Sequence, residues 1–232
     1  MNLAGTSVGR GRAAARRAGG AAVLLAGLAL PAAAHVLNTD LSKLSRTEIF
    51  GTYLQLGFTH IIPLGFDHIL FILSLYILEP RLKPVLLQAT AFTVRHSITL
   101  GLAMYGFIQA PPTVIEPIIA LSILFVAIEN IITDRLNPWR IAIVFGFGLV
   151  HGMGFASALT GLGLPPKDYF GSLISFNVGV ELGQVSVILL AWGLVGRWAA
   201  GRSWYKRRVV IPVSVAIGLV AAFWTVQRVF FT

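Results

Sequence analysis

Six apolar stretches divide the chain, with short polar or basic segments between them. The first, from Glu48 to Leu78, is longer than the about 20 residues that one upright helix needs to cross a bilayer. Pro63 and Gly65 fall inside it. The pattern therefore predicts an amphipathic or half-inserted piece up to His60, a break near Pro63, and a spanning helix to Leu78. Further spans are predicted at about Val85–Phe107, Val114–Ile132, Ile141–Leu162, Phe170–Leu194 and Val209–Phe230. The expected fold is all-α: a polytopic helical membrane protein of about six transmembrane helices, with a broken or kinked first segment.

Residues 1–34 read as a secretory signal. Arg10, Arg12, Arg16 and Arg17 form a basic region, an apolar run A-A-V-L-L-A-G-L-A-L follows, and P-A-A-A supplies a small-x-small cleavage site. Cleavage after Ala34 makes His35 the first mature residue, where the terminal amine and the imidazole can chelate a metal together. Residues 35–47 are a short polar, periplasmic lead-in, and 48–232 form the transmembrane domain.

Composition agrees with the pattern. Of 232 residues, 56% are hydrophobic and only 12% charged, and mean hydropathy is +0.80, which excludes an ordinary soluble domain. The net charge of +9 is no nucleic-acid footprint, because most of the basic residues outside the N-terminus lie in short alternate loops, the opposite side carrying only Lys167 between spans and Lys43 and Arg46 before the first. Arg81, Lys83, Arg135, Arg140, Arg197, Arg202, Lys206, Arg207 and Arg208 share one side if there are six spans and the mature N-terminus is outside. This is the positive-inside distribution, and it predicts six spans with the mature N-terminus on the outer, periplasmic side. Cysteine is absent, so thiolate metal sites and cysteine nucleophiles are excluded. The scarcity of methionine (Met1, Met104, Met153) argues against a thioether path for copper(I).

The candidate chemistry is the set of polar groups inside the spans. An ionisable side chain at the centre of a membrane helix costs roughly 2.5–3.5 kcal/mol on insertion scales, so it persists where it faces protein or water and has a partner. The first segment carries His60, Asp67 and His68, and the later spans carry Arg95, His96, His151, Asn177, Glu181 and Gln184. At about 1.5 Å per residue, Asp67, His68, His96, His151 and Glu181 reach a similar depth from four spans. Asn177, Glu181 and Gln184 share one face at i, i+4, i+7. Arg95 requires a counter-charge, for which Glu181 and Asp67 are the candidates. Glu116 and Glu129 stand near the two mouths of the third span. The alternative for the histidines is polar contact between helices, and for the surrounding glycines plain helix packing.

Imidazoles combined with carboxylates suit nickel, cobalt or zinc, and also a proton relay. Two further readings stay open. One is an intramembrane metal-dependent hydrolase, although H-E-x-x-H and G-x-S-x-G are both missing. The other is a non-transporting metal-handling accessory protein that partners a metalloenzyme.

The strings G-F-D-H-I-L-F-I-L-S-L, F-T-V-R-H-S-I-T-L, V-I-E-P-I-I-A-L-S-I, F-G-L-V-H-G-M-G-F-A and F-N-V-G-V-E-L-G-Q occur in this order between about Leu56 and Gln184. Together they resemble the HupE/UreJ proteins, specifically their second, less studied branch. The resemblance implies a small inner-membrane protein, a permease or accessory factor, that supplies nickel and sometimes cobalt to hydrogenase or urease. The better-studied branch has a histidine five residues before Asp-His, whereas six residues separate His60 from Asp67-His68 here. That branch also has a glutamate shortly after its F-H-G motif. No glutamate follows His151 closely, and Glu181 would take its place. The expected metal ligands are thus His60, Asp67, His68, His96, His151 and Glu181, supported by Arg95, Glu116, Glu129, Asn177 and Gln184. The expected partners are the lipid bilayer, the metal ion and a metalloenzyme maturation factor. Neither a catalytic residue nor a resident organic cofactor is expected.

Overall fold

A computed structural model describes residues 45–134, 138–161 and 169–231. The expected signal segment, His35 and the expected lead-in as far as residue 44 lie outside the described residues. Among the described residues the secondary structure is helical: α1 (Arg46–Ile61), α2 (Phe66–Leu78), α3 (Leu82–Met104), α4 (Pro112–Ile132), α5 (Pro138–Gly161), α6 (Tyr169–Ala191) and α7 (Ile211–Phe230). A π-helical turn, Trp192–Gly196, and a short helix, Arg197–Ala199, prolong α6, and a second π-helical turn, Lys206–Val210, leads into α7.

The ends of these helices follow from local chemistry. Ser45 caps α1 in a capping box: its hydroxyl accepts from the Glu48 amide at 3.4 Å, and the Glu48 carboxylate accepts from the Ser45 amide at 2.8 Å. Pro111 and Pro112 open α4, where a missing N–H has no intrahelical partner to lose. The expected break of the first segment falls at residues 62–65, and α1 and α2 meet there at 66°. Gly65 is required at this corner, because a Cβ there would overlap the His60 carbonyl.

Three close pairings build the bundle: α1 along α6, α3 along α5, and α4 along α7, with α2 packed against α4 and α6. Glycines set how closely they approach. A Cβ on Gly57 would overlap the Phe176 carbonyl, and one on Gly179 would overlap the Leu54 carbonyl. A Cβ on Gly152 would overlap both Thr99 Oγ1 and the His96 carbonyl. Backbones in such contact are the small-residue packing of membrane helices. The core includes Phe71, Leu75, Phe92, Ile123 and Phe176, all buried, while Leu87, Ile132, Leu219 and Phe223 point outward. An apolar exterior is a liability in water and the expected outer face in lipid.

Four stretches are long and apolar enough to cross a membrane: Pro112–Ile132, Trp139–Ala156, Tyr169–Ala199 and Lys206–Phe230. The bent α1–α2 pair raises the number to as many as five. The remaining expected span is α3, which has the length, 23 residues, but not the hydropathy, since it carries Lys83, Gln88, Arg95 and His96. One sequence-based assignment is corrected. Arg140 is no loop charge: it sits in the first turn of α5 and is buried.

Candidate metal centre

The corner between α1 and α2 brings two histidines face to edge. His60 ends α1 and His68 opens α2, and their ring centroids are 4.7 Å apart. From α3, His96 stands 5.9 Å from His68 and 6.1 Å from His60. From α5, His151 stands 5.2 Å from His68. The chain has five histidines, and all four within the described residues meet at this point, each from a different helix.

A ligand nitrogen from each of His60, His68 and His96 lies within 4.8 Å of the other two. Two nitrogens bound to one ion at about 2.1 Å are at most about 4.2 Å apart, so the rings need to draw in slightly to share an ion. The unused hydrogen-bonding capacity points the same way. Nε2 of His60, His68 and His151 and both ring nitrogens of His96 are buried and make no hydrogen bond. Such groups are normally satisfied. His151 Nδ1 lies 2.9 Å from the Phe147 carbonyl. A carbonyl only accepts, so Nδ1 carries the proton and the Nε2 lone pair is left for a ligand.

An aromatic cup encloses the cluster. Phe155 packs on His60 with centroids 3.9 Å apart, and Phe176 is 5.7 Å from the same ring. Phe92 lies 5.0 Å and Phe71 5.5 Å from His151. A shell of this kind limits water and lowers the local dielectric around the imidazoles.

The expected carboxylates are engaged by other partners. Asp67 is bound by Arg228 of α7, whose Nη2 donates to its two oxygens at 3.1 and 2.9 Å. Glu181 Oε1 accepts from Thr90 at 2.6 Å, and Glu181 lines a groove of about 620 Å³ between α3 and α6 together with Thr93, Ser97 and Asn177. Asn177 lies within interaction range of the His96 ring, but no hydrogen bond of normal geometry joins them. Gln184 is fully buried, with neither amide atom hydrogen-bonded. The counter-charge expected for Arg95 is not found in Asp67 or Glu181: the guanidinium lies over the Phe145 ring, a cation–π contact. The Glu116 carbonyl accepts from Arg228 Nη1 at 3.2 Å.

At the other end of α4, Glu129 forms a buried ion pair with Arg140 at 2.9 Å. Arg140 also donates to Asn130 Oδ1 at 3.1 Å and to the Ser74 carbonyl at 3.3 Å, and Asn130 donates to that same carbonyl at 2.7 Å. Lys206 donates to the carbonyls of Asn130 and Thr133, and the Tyr205 hydroxyl donates to the Ile77 carbonyl at 3.0 Å. Burial raises the Tyr205 phenol above its ordinary pKa. This polar lock ties α2, α4, α5 and the entry to α7.

Arg228 was legible as an arginine near the end of an apolar run, by the reasoning that singled out Arg95. Its partner was not, because 161 positions separate it from Asp67. The lock around Arg140 was hidden by the assignment of that arginine to a loop.

The profile of the HupE / UreJ protein family matches residues 37–228, most of the chain and all four clustered histidines. The chain belongs to the HupE/UreJ family. No curated protein and no solved structure is significantly similar to it. HupE/UreJ proteins are bacterial inner-membrane proteins linked to nickel or cobalt transport and to urease or hydrogenase maturation, as transporters or accessory factors rather than known enzymes. Among the described residues of this HupE/UreJ protein, the His60, His68 and His96 group has the ligand spacing that could hold a metal ion.

Proposed function

We propose that this HupE/UreJ protein binds a divalent transition metal in the cluster of His60, His68, His96 and His151 and carries it across the inner membrane. The supporting observation is the convergence of four imidazoles from four helices, with buried ring nitrogens that no protein group satisfies. Scattered polar contacts between helices have no reason to meet at one point. Neutral nitrogen donors in an aromatic shell suit nickel, cobalt and zinc, with nickel placed first on the family association. In this reading His60, at the corner, receives the ion, and Glu181 and Asp67 are carboxylates within the membrane domain that a moving ion can use in turn. The direction is inward, from periplasm to cytoplasm, with the mature N-terminus outside.

The test is metal binding and uptake by the full-length protein. Purified protein should bind Ni²⁺, Co²⁺ or Zn²⁺, and proteoliposomes should accumulate at least one of them. His68→Ala and His151→Ala should each lose bound metal and uptake, yet keep the melting temperature that the metal-free wild type has. Wild-type affinity in both variants would sink the shared site. Binding without uptake would sink transport.

A further inference from the structure

Asp67 and His68 are neighbours in sequence but serve different partners. Successive side chains on a helix diverge by about 100°, so His68 turns into the cluster while Asp67 turns to Arg228 on α7. The same guanidinium donates to the Glu116 carbonyl on α4. Arg228 thereby fastens the end of α7 to the start of α2 and to the first turns of α4. The Asp67 carboxylate and the Arg228 guanidinium both lie within electrostatic reach of the His151 ring, so the pair and the cluster share one field.

Charge decides what an ion would do here. Four neutral imidazoles cancel none of the charge on a divalent cation, and the Asp67–Arg228 pair sums to zero. An ion in the cluster therefore places two uncompensated charges within electrostatic reach of a carboxylate held by one. The carboxylate is then drawn toward the ion as well as toward the guanidinium, while the ion repels the guanidinium, and both effects weaken the pair. We propose that the Asp67–Arg228 pair is a metal-operated latch: an ion in the histidine cluster draws Asp67 away from Arg228 and loosens the hold of the end of α7 on α2. The inference rests on the metal-binding reading above. Its consequence is reciprocal, because whatever the ion does to the pair, the pair does to the ion. Arg228 is thus a positioning residue that weakens metal binding by competing for Asp67.

The experiment uses the full-length protein with Ni²⁺ as the probe. Arg228→Gln removes the competitor and should tighten Ni²⁺ binding by roughly 5–150-fold, the usual range for coupled sites. Asp67→Asn should weaken binding, and in that background Arg228→Gln should tighten it by clearly less than in the wild type, since only the direct repulsion between the guanidinium and the ion is then removed. Arg228→Lys restores the charge and should bring the affinity back toward wild type. A readout without substitution is amide hydrogen exchange of the wild type: Ni²⁺ should speed exchange in the last turns of α7, and this change should be missing in Asp67→Asn. Wild-type or weaker affinity in Arg228→Gln overturns the latch, and so does α7 exchange that Ni²⁺ leaves unchanged. If the wild type binds Ni²⁺ and His68→Ala does not, the metal site stands whichever way the latch falls. If the wild type binds no divalent metal, both fall.

Discussion

At the scale of the residue, two kinds of buried polar group are present, and they should respond differently to substitution. Glu129 and Arg140 are paired and hydrogen-bonded to Asn130 and Ser74, so their role is to hold helices. Removing one partner of a buried pair strands the other charge and typically costs about 3–5 kcal/mol. Arg140→Met and Glu129→Leu should each lower the melting temperature sharply, while the two substitutions combined in one chain should recover much of the loss; a double variant as unstable as the singles would refute this account. Each clustered histidine instead keeps a buried ring nitrogen without a hydrogen bond, so His96→Ala should remove metal binding at little loss of metal-free stability, measured by calorimetry with and without chelator. Sequence made His60, His68, His96 and His151 visible because each interrupts an apolar run. It did not show which way Asp67 and Glu181 face. The rise per residue gives depth along a helix but not the angle about its axis, so groups at one level need not face one another.

At the scale of the element, what places the histidines is the close approach of helix backbones. Gly57 is one turn from His60 and touches the Phe176 carbonyl, and Gly152 adjoins His151 and packs on the His96 carbonyl. On propensity alone, Gly→Ala within a helix should be stabilising by up to about 1 kcal/mol. At these two sites the added methyl has backbone against it, and overpacking of this kind costs about 1–3 kcal/mol. Gly57→Ala and Gly152→Ala should therefore destabilise the protein and weaken Ni²⁺ binding together, because the helices that carry the rings are pushed apart. Gly51→Ala and Gly146→Ala, where nothing lies within 4 Å, should leave Ni²⁺ binding unchanged and stability equal or slightly raised. Equal behaviour of the two groups in melting and in metal titration would break the link between packing and site. The helix break near Pro63 was readable from Pro63 and Gly65. The crossing of α1 on α6 through Gly57 and Gly179 was not, since a glycine in an apolar run marks a close approach without naming the partner helix.

At the scale of the whole molecule, the open quantity is how many segments cross the membrane. Length and hydropathy give four spans, or five with the bent pair, and leave out α3 because of its polar residues. Yet α3 packs along α5 and carries His96 into the cluster, and Phe92, Leu100 and His96 are buried in the bundle. A helix whose polar groups face protein can span at a hydropathy that would exclude an isolated one. With α3 included and the α1–α2 pair counted once, the number returns to six, and the basic residues from Arg197 to Arg208 fall on the same side as Arg81 and Lys83. Arg140 no longer contributes to that argument, since its charge is spent on Glu129 inside the bundle. The remaining asymmetry still predicts that reporters inserted at the exposed Asp134 and Gly201 read cytoplasmic, while one at the exposed Gln109, between α3 and α4, reads periplasmic. The last position is the discriminating one. If α3 does not cross, the segment between α3 and α4 lies on the same side as Arg81, and a reporter there reads cytoplasmic. That outcome would reduce the spans to fewer than six and would place Asp134 and Gly201 on opposite sides from those given above, which the same reporters would show.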